Sequence, residues 1–348
     1  MKALTFHGKE IIRHETVADP GIEQPTDAIV KVNLAAICGS DLHPYHEREK
    51  GLDHGTVMGH EFTGEIVEVG QNVSRLLPGT HVLSPFTSNC GTCFFCRQGL
   101  TSRCVKGELF GWVQNGKGLH GSQAEYVRVP LSESTLLPVP ETVLPEEALL
   151  LGDVLSTGYF CADRADIEPG GTAAVVGCGP VGLMAIIGAR ELGADAIYAI
   201  DAIPERLRLA QQFGATAVNY KEQDPVALLR ENTDGRGADA VLEAVGSPAA
   251  GRLAFDLIRE GGTISTAGVH TEAQLAFSPV EAYDKNITYR IGRCPARTYM
   301  EQLLPLVVAQ KYNLVTVISH RLPLLQGVEA YGIFDKKQDG CTKVVLKP

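Results

Sequence analysis

Two rhythms of apolar and polar residues divide this chain. Over residues 1–154 the apolar positions come in short, often alternating runs. KVNLAAICGSD, EFTGEIVEVG, HVLSPF and AEYVRVP read as strands separated by turns. Helical periodicity is scarce there, with PEEALLL the main candidate. From residue 172 the rhythm changes. TAAVVG, AIYAID, AVNY and ADAVLEAVG are each followed by a helix-like run: PVGLMAIIGARELG, PERLRLAQQFG, DPVALLRENT and PAAGRLAFDLIREG. GTISTAGV and NITYRIG add two strand candidates. Strands alternating with helices predict βαβ units and a parallel sheet. From Arg293 on, the chain offers one helix, TYMEQLLPLVVAQ, and a terminal strand, KVVLK. The expected class is α/β, a doubly wound parallel sheet beside a β-rich domain.

Composition narrows the function classes. A chain of 348 residues has room for two domains. Its 44% hydrophobic and 21% charged residues are those of a soluble globular protein. A net charge of −10 excludes a broad basic surface for nucleic acid or anionic lipid. The uncharged stretch 172–189 is long enough to raise the question of a membrane span, but GCGPVG breaks it into strand, turn and helix. MKALTFHGKEII has neither an apolar signal core nor a cleavage pattern, so a cytoplasmic location is expected.

NCGTCFFCRQGLTSRC crowds Cys90, Cys93, Cys96 and Cys104 into one loop. Cysteines two residues apart in a turn can aim their sulfurs at one point, as tetrahedral zinc requires. Disulfide frameworks belong instead to small secreted domains. Four protein ligands leave no place for a substrate, so this is expected to be a structural zinc loop.

GCGPVG sets Gly177, Gly179 and Gly182, with Pro180 and Val181 between the last two, in G-x-G-x-x-G order. A strand precedes it, a helix follows it, and Asp201 ends the next strand. In such a loop the first glycine makes the tight turn, the second admits a pyrophosphate and the third packs helix on strand. The helix N-terminus offers free N–H groups to the phosphates. Asp201 can accept from both ribose hydroxyls and would repel a 2′-phosphate, which points to NAD. Arg206 could receive that phosphate, leaving NADP as the alternative.

ICGSDLH, VMGHEFTGE and LLLGDVLSTGY carry Cys38, Ser40, Asp41, His43, His60, Glu61, Asp153 and Thr157. Singly each has a bland reading: a buried thiol, a hydrogen-bonded histidine, a helix-capping Asp153. Together and in order, C-G-S-D-x-H, G-H-E-x-x-G, C-x-x-C-x-x-C-x7-C, G-D-x-x-x-T-G and the glycine loop resemble the zinc-dependent medium-chain dehydrogenases/reductases, the alcohol dehydrogenase superfamily. The resemblance runs over essentially the whole length. It implies a GroES-like catalytic domain over 1–154, a Rossmann NAD-binding domain over 155–292, and a return to the catalytic domain over 293–348. It implies two zinc ions per chain and NAD. Cys38, His60 and Asp153 would hold catalytic zinc, with Glu61 a ligand or its close neighbour, and Asp41 would orient His60. Ser40 and His43 would relay the alcohol proton, while Thr157, Val245 and Val269 would lie by the cofactor. Trp112, in LFGW, and Cys294, in RCP, would wall the substrate pocket.

Alcohol dehydrogenases often use a Cys₂His set. Here Asp153 replaces the second cysteine, which resembles the bacterial secondary-alcohol and formaldehyde dehydrogenase branches. GSQAEYVRVP is similar to the latter. The expected reaction is NAD-linked oxidation of small secondary alcohols or diols and reduction of the matching ketones, with formaldehyde or a polyol as alternative substrate. Intact zinc motifs argue against a zinc-free quinone reductase and against a non-enzymatic NAD-binding structural protein. The resemblance suggests a homotetramer, or a homodimer, with a small alcohol or carbonyl compound as its partner molecule.

Overall fold

The structure is a computed structural model describing residues 1–348. The chain forms two compact units, Met1–Asp153 with Pro295–Pro348, and Val154–Cys294.

The Val154–Cys294 unit is built on six parallel strands: β1 Thr172–Val176, β2 Ala196–Asp201, β3 Thr216–Asn219, β4 Ala238–Glu243, β5 Ile258–Thr266 and β6 Thr288–Ile291. Their order is β3-β2-β1-β4-β5-β6, so the winding reverses between β1 and β4. This is the doubly wound Rossmann arrangement, in which ligands gather at the carboxyl ends of the strands at that reversal. A strand covered on both faces needs a continuous apolar run, and β1, TAAVV, is buried at every position after Thr172. The helices Pro180–Glu191, Pro204–Gln212, Pro225–Glu231 and Pro248–Leu257 all open on proline, whose preset φ and missing N–H suit the first turn. Ile200, Val218, Leu229, Val241, Phe255 and Ile264 fill the core between sheet and helices.

One boundary differs from the periodicity. The helix expected over PAAGRLAFDLIREG stops at Leu257, and IREG joins β5 in one run with GTIST. Ile258 is β-branched and buried, and Gly261 takes φ +70, so the strand passes through an irregularity opposite Ala238–Ala240.

In the other unit, Ala28–Ile37 pairs with Phe62–Val69, with Tyr126–Val129 and with the terminal strand Val344–Lys347. The last segment is therefore part of the sheet. Among the elements there that were not evident from pattern are the hairpins Lys2–Phe6/Ile12–Thr16 and Trp112–Gln114/Lys117–Leu119, the strand His320–Pro323 and the helix Gly327–Lys336. GVEAYGIFDK carries two glycines and buries only Gly327, Ala330, Tyr331 and Phe334, so its apolar stripe is thin.

PEEALLL does start a helix, at Pro145, but the segment does not end there. Pro145–Leu150 passes through a π turn, Leu151–Leu155, into Ser156–Asp163. Asp153 thus lies inside a helical segment, not at a cap, which removes the bland reading of it. No helix is long and apolar enough to cross a membrane.

Candidate functional site

Four donors converge in the unit that contains both chain termini. Cys38 follows the strand Ala28–Ile37, whose end is turned by Gly39–Asp41. His60 and Glu61 immediately precede Phe62–Val69, and Asp153 projects from the π turn. One ligand atom from each lies within 4.8 Å of the others. Cys38 Sγ is 3.6 Å from Asp153 Oδ2, and His60 Nε2 is 3.5 Å from the same oxygen. His60, Glu61 and Asp153 are buried.

The electrostatics ask for a cation. Burial, with the carboxylates of Asp153 and Glu61, pushes the Cys38 thiol above its ordinary value. Burial alone would make His60 less basic, but Asp41 and Asp153 raise it well above the usual histidine range. Glu61 Oε1 meets Lys343 Nζ at 2.5 Å with both side chains buried, while Glu61 Oε2 is buried without a hydrogen-bond partner. One thiol, one imidazole and two carboxylates around an orphaned oxygen suit Zn²⁺ better than solvent or protons.

Around the donors, His60 Nδ1 is 3.2 Å from Asp41 Oδ1, which sets the ring plane. Ser40 Oγ lies 3.2 Å from His60 Nε2. His43 sits one short turn further on, in Leu42–Tyr45, with Nδ1 buried and unpartnered. Burial lowers its pKa.

The second cluster is local. The sulfurs of Cys90, Cys93, Cys96 and Cys104 also fall within 4.8 Å of one another, and all nine cysteines are free thiols. Cys93 and Cys96 are 3.5 Å apart, too far for a disulfide. Backbone N–H groups of Cys90 and Lys106 donate to Cys104 Sγ at 3.2 and 3.4 Å, and that of Cys93 to Cys90 Sγ at 3.4 Å. Against burial, donors from Thr92 and Cys93 bring Cys90 down to about 6, whereas burial and its neighbouring thiols push Cys96 up to about 12. Only a cation lets all four ionise together.

At the carboxyl edge of the parallel sheet, Gly177 has φ +89, and a Cβ at Gly182 would lie 1.8 Å from Gly177 O. Those two positions exclude any side chain. A Cβ at Gly179 would meet nothing closer than Arg206 Nη1 at 3.7 Å, so the space there is open. The Pro180–Glu191 helix starts at that gap without a side-chain cap, leaving N–H groups for an anion. Arg206 Nε is buried and unpartnered beside it. Its guanidinium stands 3.8 Å from Asp201 Oδ2 through Nη1, so the open cradle has one cation at its edge, which fits a pyrophosphate. Asp201 Oδ2 accepts from Cys178 N at 2.8 Å, and Oδ1 from Ala202 N and Ile203 N at 2.7 and 3.0 Å. Three of the roughly four acceptor positions of this carboxylate are thus taken by backbone N–H groups. Val245 and Val269 follow β4 and β5, and each is nearly half exposed, unusual for valine in a folded core.

Residues 24–141 match the alcohol dehydrogenase GroES-like domain and residues 180–309 the zinc-binding dehydrogenase domain. Zinc-type alcohol dehydrogenase B of Aspergillus flavus is 41% identical over all of this chain and 81% of its own length. The chain belongs to the zinc-dependent medium-chain dehydrogenases. Two solved dehydrogenase structures superpose over the whole chain and 99% of their own. The alcohol dehydrogenase of Thermus sp. ATN1 has a TM-score of 0.93 at 40% identity, and 2R,3R-butanediol dehydrogenase of Bacillus subtilis 0.85 at 27%. As a member of this family the protein is a zinc-dependent oxidoreductase acting on alcohols.

Within this dehydrogenase the remaining expected residues are more dispersed. Trp112 opens the strand Trp112–Gln114 and packs half-buried against the cluster of Leu4, Phe6, Met58 and Tyr331, so much of its ring serves the core. Cys294 is buried, and Thr157 lies on Ser156–Asp163, one helical turn beyond Asp153. Pattern reading missed Lys343, Gln123 and Tyr331. Lys343 had one signal, a lone cation leading an apolar terminal strand. The other two had none.

Proposed function

We propose that this chain is an NAD-linked dehydrogenase of small secondary alcohols or diols that also reduces the matching ketones. The observation that carries the reading is the convergence of Cys38, His60, Glu61 and Asp153 within 4.8 Å around an unpartnered carboxylate oxygen. The unit Met1–Asp153 with Pro295–Pro348 supplies the zinc chemistry, and Val154–Cys294 holds the dinucleotide.

Zinc, held by Cys38, His60 and Asp153 with Glu61 as a further ligand or neighbour, supplies a Lewis acid that makes an alcohol hydroxyl acidic near neutral pH. NAD, cradled by Gly177, Gly179, Pro180, Val181 and Gly182, supplies the hydride acceptor. Ser40 Oγ, at the edge of the donor set, receives the alcohol proton. His43, kept neutral at pH 7 by its lowered pKa, takes that proton onward to water. Asp201 selects NAD by repelling a 2′-phosphate, with Arg206 as the group that would admit NADP. Thr157, Val245 and Val269 contact the cofactor. Each CH₂ of substrate buried against apolar side chains adds about 0.8 kcal/mol, about fourfold in kcat/KM. Cys90, Cys93, Cys96 and Cys104 hold a second, closed zinc.

Asp153 in place of cysteine and the likeness to a butanediol dehydrogenase support a secondary alcohol over a primary one. A polyol or formaldehyde is the second candidate, supported by the GSQAEYVRVP segment. The protein is further proposed to act in the cytoplasm as a homotetramer, or as a homodimer. The test follows NADH absorbance with 2-butanol, 1-butanol, 2,3-butanediol, a polyol and formaldehyde under identical conditions. The highest kcat/KM is expected for a secondary alcohol or diol. A higher value for formaldehyde or a long polyol overturns the substrate assignment.

A further inference from the structure

Behind the candidate zinc donors runs a buried hydrogen-bond chain whose outer members, Gln123 and Tyr331, lie outside the donor cluster. Asp41 sits 3.2 Å from His60 Nδ1 through Oδ1, and its Oδ2 accepts from Cys38 N at 2.9 Å and from Gln123 Nε2 at 3.3 Å. Gln123 Nε2 also donates to Ala36 O at 3.1 Å, and Gln123 Oε1 accepts from Tyr331 OH at 2.9 Å. Gln123 is wholly buried, as is Tyr331. The partners allow only one amide orientation: two acceptors face the NH₂ group, and a hydroxyl that can donate faces the oxygen.

The backbone around this chain is arranged to hold it. Residues 121–123 bond the approach to His60, with Gly121 N donating to Val57 O, Ser122 N to Gly59 O and Gln123 N to Met58 O. Gly59, at φ +90, precedes His60, and a Cβ there would lie 2.4 Å from Gln123 Cγ. Glycine at 59 thus makes space for the Gln123 side chain against the chain that carries the ligand. Tyr331 in turn is locked in an apolar cluster and packs on Tyr45 with ring centroids 5.5 Å apart. A rotated Asp41 would leave the amide of Gln123 and the N–H of Cys38 short of an acceptor at a buried position, where an unmade hydrogen bond is costly.

We infer that Gln123, anchored by Tyr331, is a positioning residue that fixes the Asp41 carboxylate and through it the His60 ring for metal binding. The inference rests on the zinc reading of Cys38, His60 and Asp153. Partners that orient metal-binding histidines commonly contribute 10- to 100-fold to metal affinity. Gln123→Met keeps length and removes every side-chain hydrogen bond. Tyr331→Phe removes only the anchor.

The test uses the full-length, zinc-loaded protein and two readouts besides turnover: competition for zinc by a chromophoric chelator, and the visible spectrum of the cobalt-substituted enzyme. The parent should hold two metals per chain. Gln123→Met should release one of them about 10- to 100-fold more readily, shift the cobalt bands of that site, and leave the four-cysteine metal unchanged. Tyr331→Phe should do the same by a few-fold, and the double variant should be no worse than Gln123→Met alone, since both act through one chain. If Gln123→Met does not fold, Tyr331→Phe decides alone. Parent-like zinc retention with an unshifted cobalt spectrum in the variants overturns the inference while the zinc reading stands. A parent holding a single metal per chain overturns the zinc reading and the inference with it.

Discussion

The two candidate metal centres of this protein are built on opposite plans. The four-cysteine centre takes all its donors from residues 90–104, leaves them half-buried, and supports them with backbone N–H groups of the same loop. The Cys38 centre gathers donors from three distant segments, buries most of them, and supports them with Asp41, Gln123 and Lys343 side chains drawn from the whole length of the unit. A local centre can form as soon as its loop closes and has one donor type, which suits a staple. A gathered centre can mix charges and leave one acceptor unspent, which suits chemistry on an exchangeable partner.

The comparison is broken most directly at the donors. Cys38→Ser should lower kcat by about 10³-fold or more, since Lewis-acid stabilisation is worth several kcal/mol and each 1.36 kcal/mol is tenfold. Far-UV circular dichroism should stay native and one metal per chain should remain. Retained turnover would show that this cluster is not where the reaction occurs. Cys96→Ser should do the reverse, lowering metal content by one and the midpoint of thermal unfolding by several degrees while kcat of the folded enzyme changes only a few-fold. Comparable losses of kcat in both variants would erase the division of labour.

A subtler contrast lies in proton handling. The lowered pKa of His43 keeps the ring an acceptor at pH 7, and that capacity disappears only as pH falls through a value under the ordinary 6.5. The acid limb of log kcat/KM for alcohol oxidation should therefore lie below pH 6.5. His43→Gln should flatten it and cost about 10²-fold, the lower range for a general base. An unchanged profile in that variant removes His43 from the relay. The smallest effect belongs to a residue that touches neither centre. Asp201→Gly should leave both metals in place and narrow the preference for NAD over NADP by about tenfold, the value of one hydrogen bond to a charged group. A wild type that prefers NADP would reassign the role to Arg206.

How much of this was legible in the sequence follows the same division. The alternation of strands and helices from residue 172 gives the parallel sheet, because a buried βαβ unit is a local pattern repeated. The glycine loop and the cysteine loop are legible for the same reason, since spacing alone encodes their geometry. The Cys38 centre was reached only through resemblance, because nothing local ties Cys38 to Asp153. The π turn that carries Asp153 has no periodic signature. Gln123 and Tyr331 lay outside pattern reading altogether: 208 residues separate the two ends of their hydrogen bond, and 282 separate Lys343 from Glu61.

That last separation has a consequence for how the molecule comes into being. A growing polypeptide offers its domains in order of synthesis, and each folds as it becomes complete. The Val154–Cys294 unit lies wholly between the two parts of the other, so it can finish while its elder neighbour still lacks the strand Val344–Lys347. Throughout that interval Glu61 is without the ammonium that neutralises it, and Gln123 waits for a tyrosine not yet made. The Val154–Cys294 fold is therefore the firstborn, although it begins later, and the candidate metal centre waits for the strand that brings Lys343 to Glu61.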